Sequence, residues 1–448
     1  MKNKISAVFL SLCLLGSLLC VLPAGAAAFA AAGVTVAVRD GYSCDYGVDI
    51  PFTRSPRTQD YTFALYEGPA AAGAPEVTAG VTIEPTAQVT IHLPLRHDPT
   101  GPSTWTLAVT AHVAPGRVGL DREATAVKTF DIAPSCSCPA GTAGVYYAGD
   151  GSAQSPFRVA TPGQLQHVNA HLSSQFIQTQ DIALTGSFTP IGSAARAFSG
   201  VYDGGGHVIS NLTAGSVVGS DRSMTASGLF GETGKVTIQN LGIEDYSVKG
   251  ELAAPLIGLC SGPATITRCY TRNGSAMGSG TKGAMPSAMV SYLHASASAS
   301  LRMTDCYAVG GAVTSSSAAA GGLLGFGQSG TPAVFTNCFT ILNSISANES
   351  SGNYGRGGIA GVAYSSTFCP TNCWFLSGTP AYAVGAYRSV STAGPSTSPS
   401  GTKGAAVGGF GNLQSLGLSS DVWEIKSDAV SGRGTIAYPH LRVFGEAQ

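Results

Sequence analysis

The sequence is short of charge: only 11% of its 448 residues are Asp, Glu, Lys or Arg, and the formal net charge is −1. Over residues 142–376, ten lysines and arginines balance ten aspartates and glutamates. A nucleic-acid groove needs a basic excess to neutralise phosphates, so that partner is excluded. Long apolar runs are missing too. Beyond residues 5–22 none has the length that spans a bilayer, and no insertion of the mature chain is expected. No Gly-x-Ser-x-Gly phrase is present, which removes one nucleophile signature. With 44% hydrophobic residues the chain is nevertheless too apolar to stay a disordered polar coil.

What is abundant is repetition, over residues 147–376. One phrase is small-apolar-apolar-small: Gly228-Leu229-Phe230-Gly231, Pro255-Leu256-Ile257-Gly258, Ala288-Met289-Val290-Ser291, Gly322-Leu323-Leu324-Gly325 and Gly358-Ile359-Ala360-Gly361. Its starts differ by 255−228 = 27, 288−255 = 33, 322−288 = 34 and 358−322 = 36. The second phrase places a Thr shortly before a fixed apolar knob: Thr237 before Leu241, Thr265 before Cys269, Thr304 before Cys306, Thr336 before Cys338, Thr371 before Cys373. The phrases are too short and Gly-rich for helices, and their Val, Ile, Thr, Phe and Tyr favour extended backbone. No single copy can bury its apolar side. Stacking copies at the strand spacing of about 4.8 Å would set Leu241, Cys269, Cys306, Cys338 and Cys373 in one inward file, with spacers free to vary outside it.

These phrases resemble the GLUG-type repeats of secreted bacterial right-handed β-helix proteins. The segment before them fits the same family's opening pattern, through Tyr147-Ala148-Gly149-Asp150-Gly151, Ser155-Pro156-Phe157, Thr161-Pro162-Gly163-Gln164-Leu165, Asp181-Ile182-Ala183-Leu184, Pro190-Ile191-Gly192 and Phe198-Ser199-Gly200-Val201-Tyr202-Asp203-Gly204-Gly205-Gly206. The stretch 423–441, with Tyr438-Pro439, resembles its ending. The resemblance implies an all-β fold, a right-handed parallel β-helix (solenoid). It leaves activity open, since such repeats occur in adhesin-like proteins and within larger surface proteases.

Ahead of the repeats the pattern changes to alternating strands: Val34-Thr35-Val36-Ala37-Val38, Tyr61 through Tyr66, Val89 through Leu93, Trp105 through Val113, and Ala126 through Phe130. Five to seven such strands in about a hundred residues predict a small Ig-like β-sandwich. Pilin-type Lys-Asn crosslinking is disfavoured, because Lys128 is this segment's lone lysine and lies near its end. Lys2, Lys4, the apolar run 5–22 and Ala28-Phe29-Ala30 read as a secretory signal. Leu19 stands where a lipoprotein signal would carry a small residue, which argues against acylation at Cys20. The C-terminus shows no hydrophobic tail or sorting phrase, so release, or attachment through another component, is expected. The expected organisation is signal peptide 1–30, sandwich 31–138, capped β-helix 139–376 and loop-rich closing segment 377–448.

Eleven cysteines less Cys13 and Cys20 leave nine, an odd number. Stacked cysteines sit about a strand spacing apart, wider than a relaxed disulfide's Cβ separation of about 3.8 Å, so Cys269, Cys306, Cys338 and Cys373 are expected as thiols. Cys44 with Cys136 or Cys138 is the expected disulfide of an exported domain. Cys136-Ser137-Cys138 lacks the second pair of a zinc knuckle. Thr161, Pro162 and Gln164 form a capping-box helix start, with Leu165, Val168 and Leu172 on one face covering the open end of the strands. His167 and His171 lie four apart on that helix. The zincin pattern requires Glu after the first His, Val168 stands there, and surface histidines are expected.

A β-helix lyase or hydrolase needs clustered carboxylates. Only Glu244 and Asp245 adjoin, and strand neighbours point to opposite faces. Asp245 with Glu251, or Asp305 with a neighbour, are the remaining combinations. Gly231-Glu232-Thr233-Gly234-Lys235 departs from the phosphate-loop pattern, being followed by Val236, and is expected as a hairpin-like turn. Asp203-Gly204-Gly205-Gly206 is expected as a turn, with Asp203 bonding its own backbone. The sequons at Asn211, Asn273 and Asn348 mean little in a bacterial protein. No catalytic, cofactor or metal residue is assigned. The expected function is non-catalytic, adhesin-like binding, secreted or at the cell surface, of an extracellular glycan or host or cell-surface protein through loops such as 272–286 and 344–356. The alternatives are a carbohydrate-active β-helix enzyme and a structural spacer of a surface assembly.

Overall fold

A computed structural model describes residues 35–38, 46–53, 58–82, 88–95, 104–113, 123–131, 134–139, 142–280, 283–296, 298–317, 319–348, 354–389 and 394–445. The expected signal peptide, Cys20, Cys44 and Glu349 lie outside them. The chain divides into two compact units, Met1–Arg158 and Val159–Gln448.

The first unit is antiparallel. Strands β1 (Thr35–Val38), β2 (Tyr46–Thr53) and β5 (Gln88–Leu95) form one sheet; β3 (Thr58–Glu67), β4 (Val77–Thr82), β6 (Thr104–Val113) and β7 (Glu123–Asp131) form another, in the order β4-β3-β6-β7. Alternation sets the buried side: Tyr61, Phe63 and Leu65 are buried opposite Ala111, Val109 and Leu107 of β6. Strands β2 and β4 carry Gly47, Asp49 and Gly80, which hid them in the sequence.

The second unit is built largely of parallel strands, an arrangement compatible with a β-helix. Each repeat contributes to three parallel sheets. The first holds the Gly phrases: Phe230–Thr233, Ile257–Cys260, Val290–Leu293, Leu324–Gly327, Ala360–Tyr364 and Val384–Arg388. Leu229, Leu256, Met289, Leu323 and Ile359 are all buried. The small flanking residues answer close approaches: a Cβ on Gly322 would stand 1.9 Å from the Gly358 carbonyl oxygen, and one on Gly325 2.1 Å from that of Met285.

The second sheet bends at every knob. Strands such as Pro263–Thr267 and Tyr270–Arg272, or Ala333–Thr336 and Phe339–Ile341, are the two arms of one repeat. The residue between Thr and knob is left-handed each time: Asn240, Arg268, Asp305, Asn337 and Asn372 have φ of 51° to 53°. Asn and Asp tolerate this region, and they stack: Asn372 Nδ2 donates to Asn337 Oδ1 at 3.0 Å, and Asn337 Nδ2 to Asp305 Oδ1 at 3.0 Å. Just beyond the bend, Leu241, Cys269, Cys306, Cys338 and Cys373 stand in file, each 0% or 1% exposed. The four cysteines are thiols that donate to carbonyls, as Cys306 does to Thr304 at 3.2 Å and Cys338 to Thr336 at 3.2 Å. Burial holds the thiols of Cys306 and Cys338 well above their usual range.

The third sheet stacks Ser187–Phe188, Thr213–Ala214, Ser247–Gly250, Ser275–Gly278, Ala312–Ser315 and Ser344–Ala347. Its members Ser275–Gly278 and Ser344–Ala347 correct the expected loops 272–286 and 344–356, each of which contains a strand. Other expectations shift as well. Thr161 caps its helix, accepting from Gln164 N at 3.2 Å, but the Gln164 side chain reaches back to Ala160 N. Asp181-Ile182-Ala183-Leu184, expected as the first strand after that helix, supplies only Ile182–Ala183 and is preceded by the strand Gln175–Gln178. Asp203 does bond Gly205 N at 2.9 Å, inside a bulge of the long strand Val201–Ser210. The 231–235 segment turns a corner between two parallel sheets, so it is no hairpin. The stretch 392–403, expected as a long loop, ends in strand, since Thr402 and Lys403 open the strand Thr402–Ala405 paired with Cys373–Leu376. Finally, Trp423–Val430 and Gly434–Leu441 form an antiparallel hairpin rather than a closing repeat, and cover the outer side of the bent sheet.

Candidate recognition face

The outer side of the Gly-phrase sheet carries a second group of polar and aromatic side chains, which the C-terminal hairpin does not cover. In register, Glu232, Leu259, Tyr292, Phe326, Val362 and Ala386 form one column. Met224 and Ala226, from the connection before the first Gly phrase, pack onto it. Its first member, Glu232, is 3% exposed. The carboxylate accepts from Ser220 N at 2.8 Å, Ser220 Oγ at 2.5 Å and Ser261 Oγ at 2.9 Å, so its burial is compensated. Neighbouring Asp221 approaches His294 Nε2 at 3.6 Å. Burial, reinforced by Asp221, pushes the Tyr292 phenol above its usual range. Tyr292 Oη donates to Gln328 Oε1 at 3.1 Å, which also accepts from Ala295 N at 2.7 Å. Arg222 and Ser223 follow with φ of 49° and 52°, two consecutive left-handed residues that hold Asp221 in place.

The other end of this face is aromatic. The Arg388 guanidinium lies 5.9 Å from the Phe326 ring centroid, 5.5 Å from Tyr354 and 5.9 Å from Tyr364, and its Nη1 donates to Tyr364 Oη at 3.3 Å. The Tyr292, Phe326 and Tyr364 rings are buried, so the groups this face offers to a ligand are the half-buried Asp221, His294, Gln328, Tyr354 and Arg388. One aromatic ring with amide and charged groups suits a polyhydroxylated ligand.

The carboxylates singled out in the sequence do not join this face. Glu244 accepts from Tyr270 Oη at 2.5 Å and from Arg272 Nη2 at 2.6 Å, while Arg272 Nη1 bonds Asp428. Asp245 is exposed at a left-handed bend with φ 52°. Glu251 turns instead to Thr225, whose N–H it accepts at 2.8 Å. Asp305 accepts from Asn337 and, at 3.4 Å, from Trp423 Nε1. Among the described residues no three carboxylates gather within metal-ligand range. His167, the last residue of the short helix Pro162–His167, is buried, against the expectation of a surface residue. His171 follows a 3₁₀ turn, its ring centroid 5.2 Å from that of His167, and burial lowers its affinity for a proton. In the first unit Cys136 is buried, and it and Cys138 form no disulfide; the Cys44 pairing falls outside the described residues.

No known family profile matches the chain. Halomucin of Haloquadratum walsbyi is 32% identical over 147 residues, 29% of this chain and 2% of halomucin. This chain therefore corresponds to a small fraction of that relative's length. Among solved structures, one described as a candidate immunoglobulin A1 protease from Bacteroides ovatus has a TM-score of 0.45 at 16% identity, covering 64% of this chain and 93% of the other.

Sequence reasoning missed Asp221, Glu232, Tyr292 and His294. A signal did exist. Two residues past the apolar pair the Gly phrases read Leu259-x-Ser261, Tyr292-x-His294 and Phe326-x-Gln328, so extending the phrase would have exposed both outer columns.

Proposed function

We propose that the chain is an exported, adhesin-like binding protein: a GLUG-type right-handed parallel β-helix behind a small Ig-like sandwich, acting at the cell surface or beyond. The observation that carries this reading is the division of labour in the repeats. Inward positions are apolar and in file, while polar and charged groups lie on the outer faces and in connections of unequal length, the way rigid scaffolds present recognition groups. The likeness to halomucin agrees with an extracellular setting. The face running from Asp221 and His294 to Tyr364 and Arg388 is the proposed contact surface for a glycan or a glycosylated partner.

A glycan and matrix-protein array probed with the purified protein tests the proposal. Tyr354→Ala and Gln328→Ala should each weaken binding at least tenfold with the fold intact by circular dichroism. Binding that survives both would remove this face as the contact surface, and binding absent altogether would leave the spacer reading. The Asp221, Glu232 and His294 group favours one second reading, a carbohydrate-active enzyme. Release of reducing ends from any array polysaccharide, abolished by Glu232→Gln, would replace the binding reading with it.

A further inference from the structure

The hairpin Trp423–Leu441 lies on an outer surface the repeats make aromatic. Tyr270, Tyr307 and Phe339 stack with centroids 5.0 Å apart and planes within 5° of parallel. Trp423 and Tyr438 close over Tyr307 at 5.8 and 6.2 Å. The hairpin tip is tied to backbone and amide groups: Ser431 N donates to Asn273 Oδ1 at 3.0 Å, Asn343 Nδ2 to Ser431 O at 2.5 Å, and Arg433 Nη2 to the Leu342 carbonyl at 2.6 Å. Nearer its base the ties are ionic. Arg272 bridges Glu244 and Asp428.

His440 sits within this contact, its ring 4.1 Å from Tyr438 and 6.5 Å from Tyr307, and its Nε2 is buried with no hydrogen-bond partner among the described residues. Glu424 faces it across the hairpin but is drawn to Lys426 at 2.5 Å and Arg442 at 3.9 Å. Lys426 and Arg272 are the cations facing it from the opposite strand and from the bent sheet; the turn Val407–Phe410 brings no charge. A proton on His440 would lie beside two cations, Lys426 and Arg272, and its Nε2 has no carboxylate partner among the described residues to offset the charge.

We propose that this hairpin is an acid-released strap: mild acidification lifts it off the aromatic row and uncovers Tyr270, Tyr307 and Phe339 while the parallel sheets beneath stay folded. Burial first, then Lys426 and Arg272, push His440 down to about 4 in the closed form. In a released hairpin it returns to about 6.5. The open form therefore binds more protons between these values. Closure is complete above pH 6.5 and weakens as pH falls from there toward 4. The gap of about 2.5 units caps the loss at about 300-fold in the closed-to-open ratio, and solvent at the partly exposed ring reduces it to about 10- to 100-fold.

Hydrogen exchange of the whole protein, corrected for the pH dependence of the chemical step, measures this. Between pH 7 and pH 4, protection over Trp423–Leu441 should fall about 10- to 100-fold while Val236–Glu244 and Leu324–Gly327 hold theirs. His440→Asn should abolish the fall. Lys426→Gln, which removes one repelling cation, should raise the closed-form value of His440 and so make the fall smaller, and it carries the test if the first variant does not fold. Protection unchanged to pH 4, loss shared by all three segments, or a fall of the same size at the same pH in the variants would each overturn the proposal.

Discussion

Two outer faces of the second unit share one backbone arrangement and differ in everything else. On the bent sheet, Tyr270, Tyr307, Phe339 and Trp374 occupy successive outward positions, and the C-terminal hairpin buries the first three. On the third sheet the equivalent positions are Ser187, Thr213, Ser247, Ser275, Ala312 and Ser344; all but Ala312 are exposed. Behind them Phe188, Ala214, Val248, Ala276, Val313 and Ile345 are buried to the same degree as the inner residues of the bent sheet. Parallel stacking thus fixes where side chains repeat but leaves open whether a face needs cover. An aromatic row exposed along several strands would be a large apolar patch, and this chain meets it with its own C-terminus. A hydroxyl row needs nothing.

The sharpest way to break the contrast is to empty the covered face. Tyr307→Ala removes a ring held between Tyr270 and Phe339 and beneath Trp423, and should cost about 3–5 kcal/mol, read from the urea midpoint. Arg272→Met should cost less, about 1–3 kcal/mol. It strands Glu244 and Asp428, whose side chains are only 16% and 34% exposed, and those exposures keep the loss below that of a fully buried pair. Combining it with Asp428→Asn should return a coupling energy of about 0.5–2 kcal/mol; additive losses would show that the Arg272–Asp428 pair adds nothing to the hairpin's aromatic contacts and tip bonds.

The bend bordering the covered face gives a smaller effect of opposite sign. Arg268 occupies a left-handed position where the neighbouring repeats have Asn240 and Asp305, and its Nε is buried without a hydrogen-bond partner among the described residues. Arg268→Asn should stabilise by about 0.5–1 kcal/mol, detected as a raised thermal midpoint, by relieving the backbone and adding a member to the amide stack.

How far such details could be read from the sequence depended on whether they repeat. The inner file of Leu241 and the four cysteines was legible because each copy carries the same knob after the same Thr. The hairpin was not read, although Ser431-Gly432-Arg433-Gly434 between two alternating runs is a turn signal, with Gly432 and Gly434 at φ 73° and 70°. Tyr438-Pro439 drew the stretch toward the repeat pattern instead. The recognition face was hidden for another reason. Ser220 and Glu232 meet across a connection, Asp221 and His294 lie 294−221 = 73 residues apart, and no periodicity announces either contact.

The smallest expected effect tests the uncovered face. Ser275 stands between Ser247 and Ala312, outward and exposed, and no hydrogen bond from its hydroxyl to another side chain is found among the described residues. Ser275→Ala should therefore change stability by no more than about 0.5 kcal/mol in the urea assay that registers Tyr307→Ala. Met277, two residues along the same strand and 46% exposed, already shows that this face accepts an apolar side chain. A loss above about 1 kcal/mol at Ser275 would mean that the hydroxyl row is itself covered, by a surface or a second molecule, and the difference between the two faces would then be one of partner rather than of exposure.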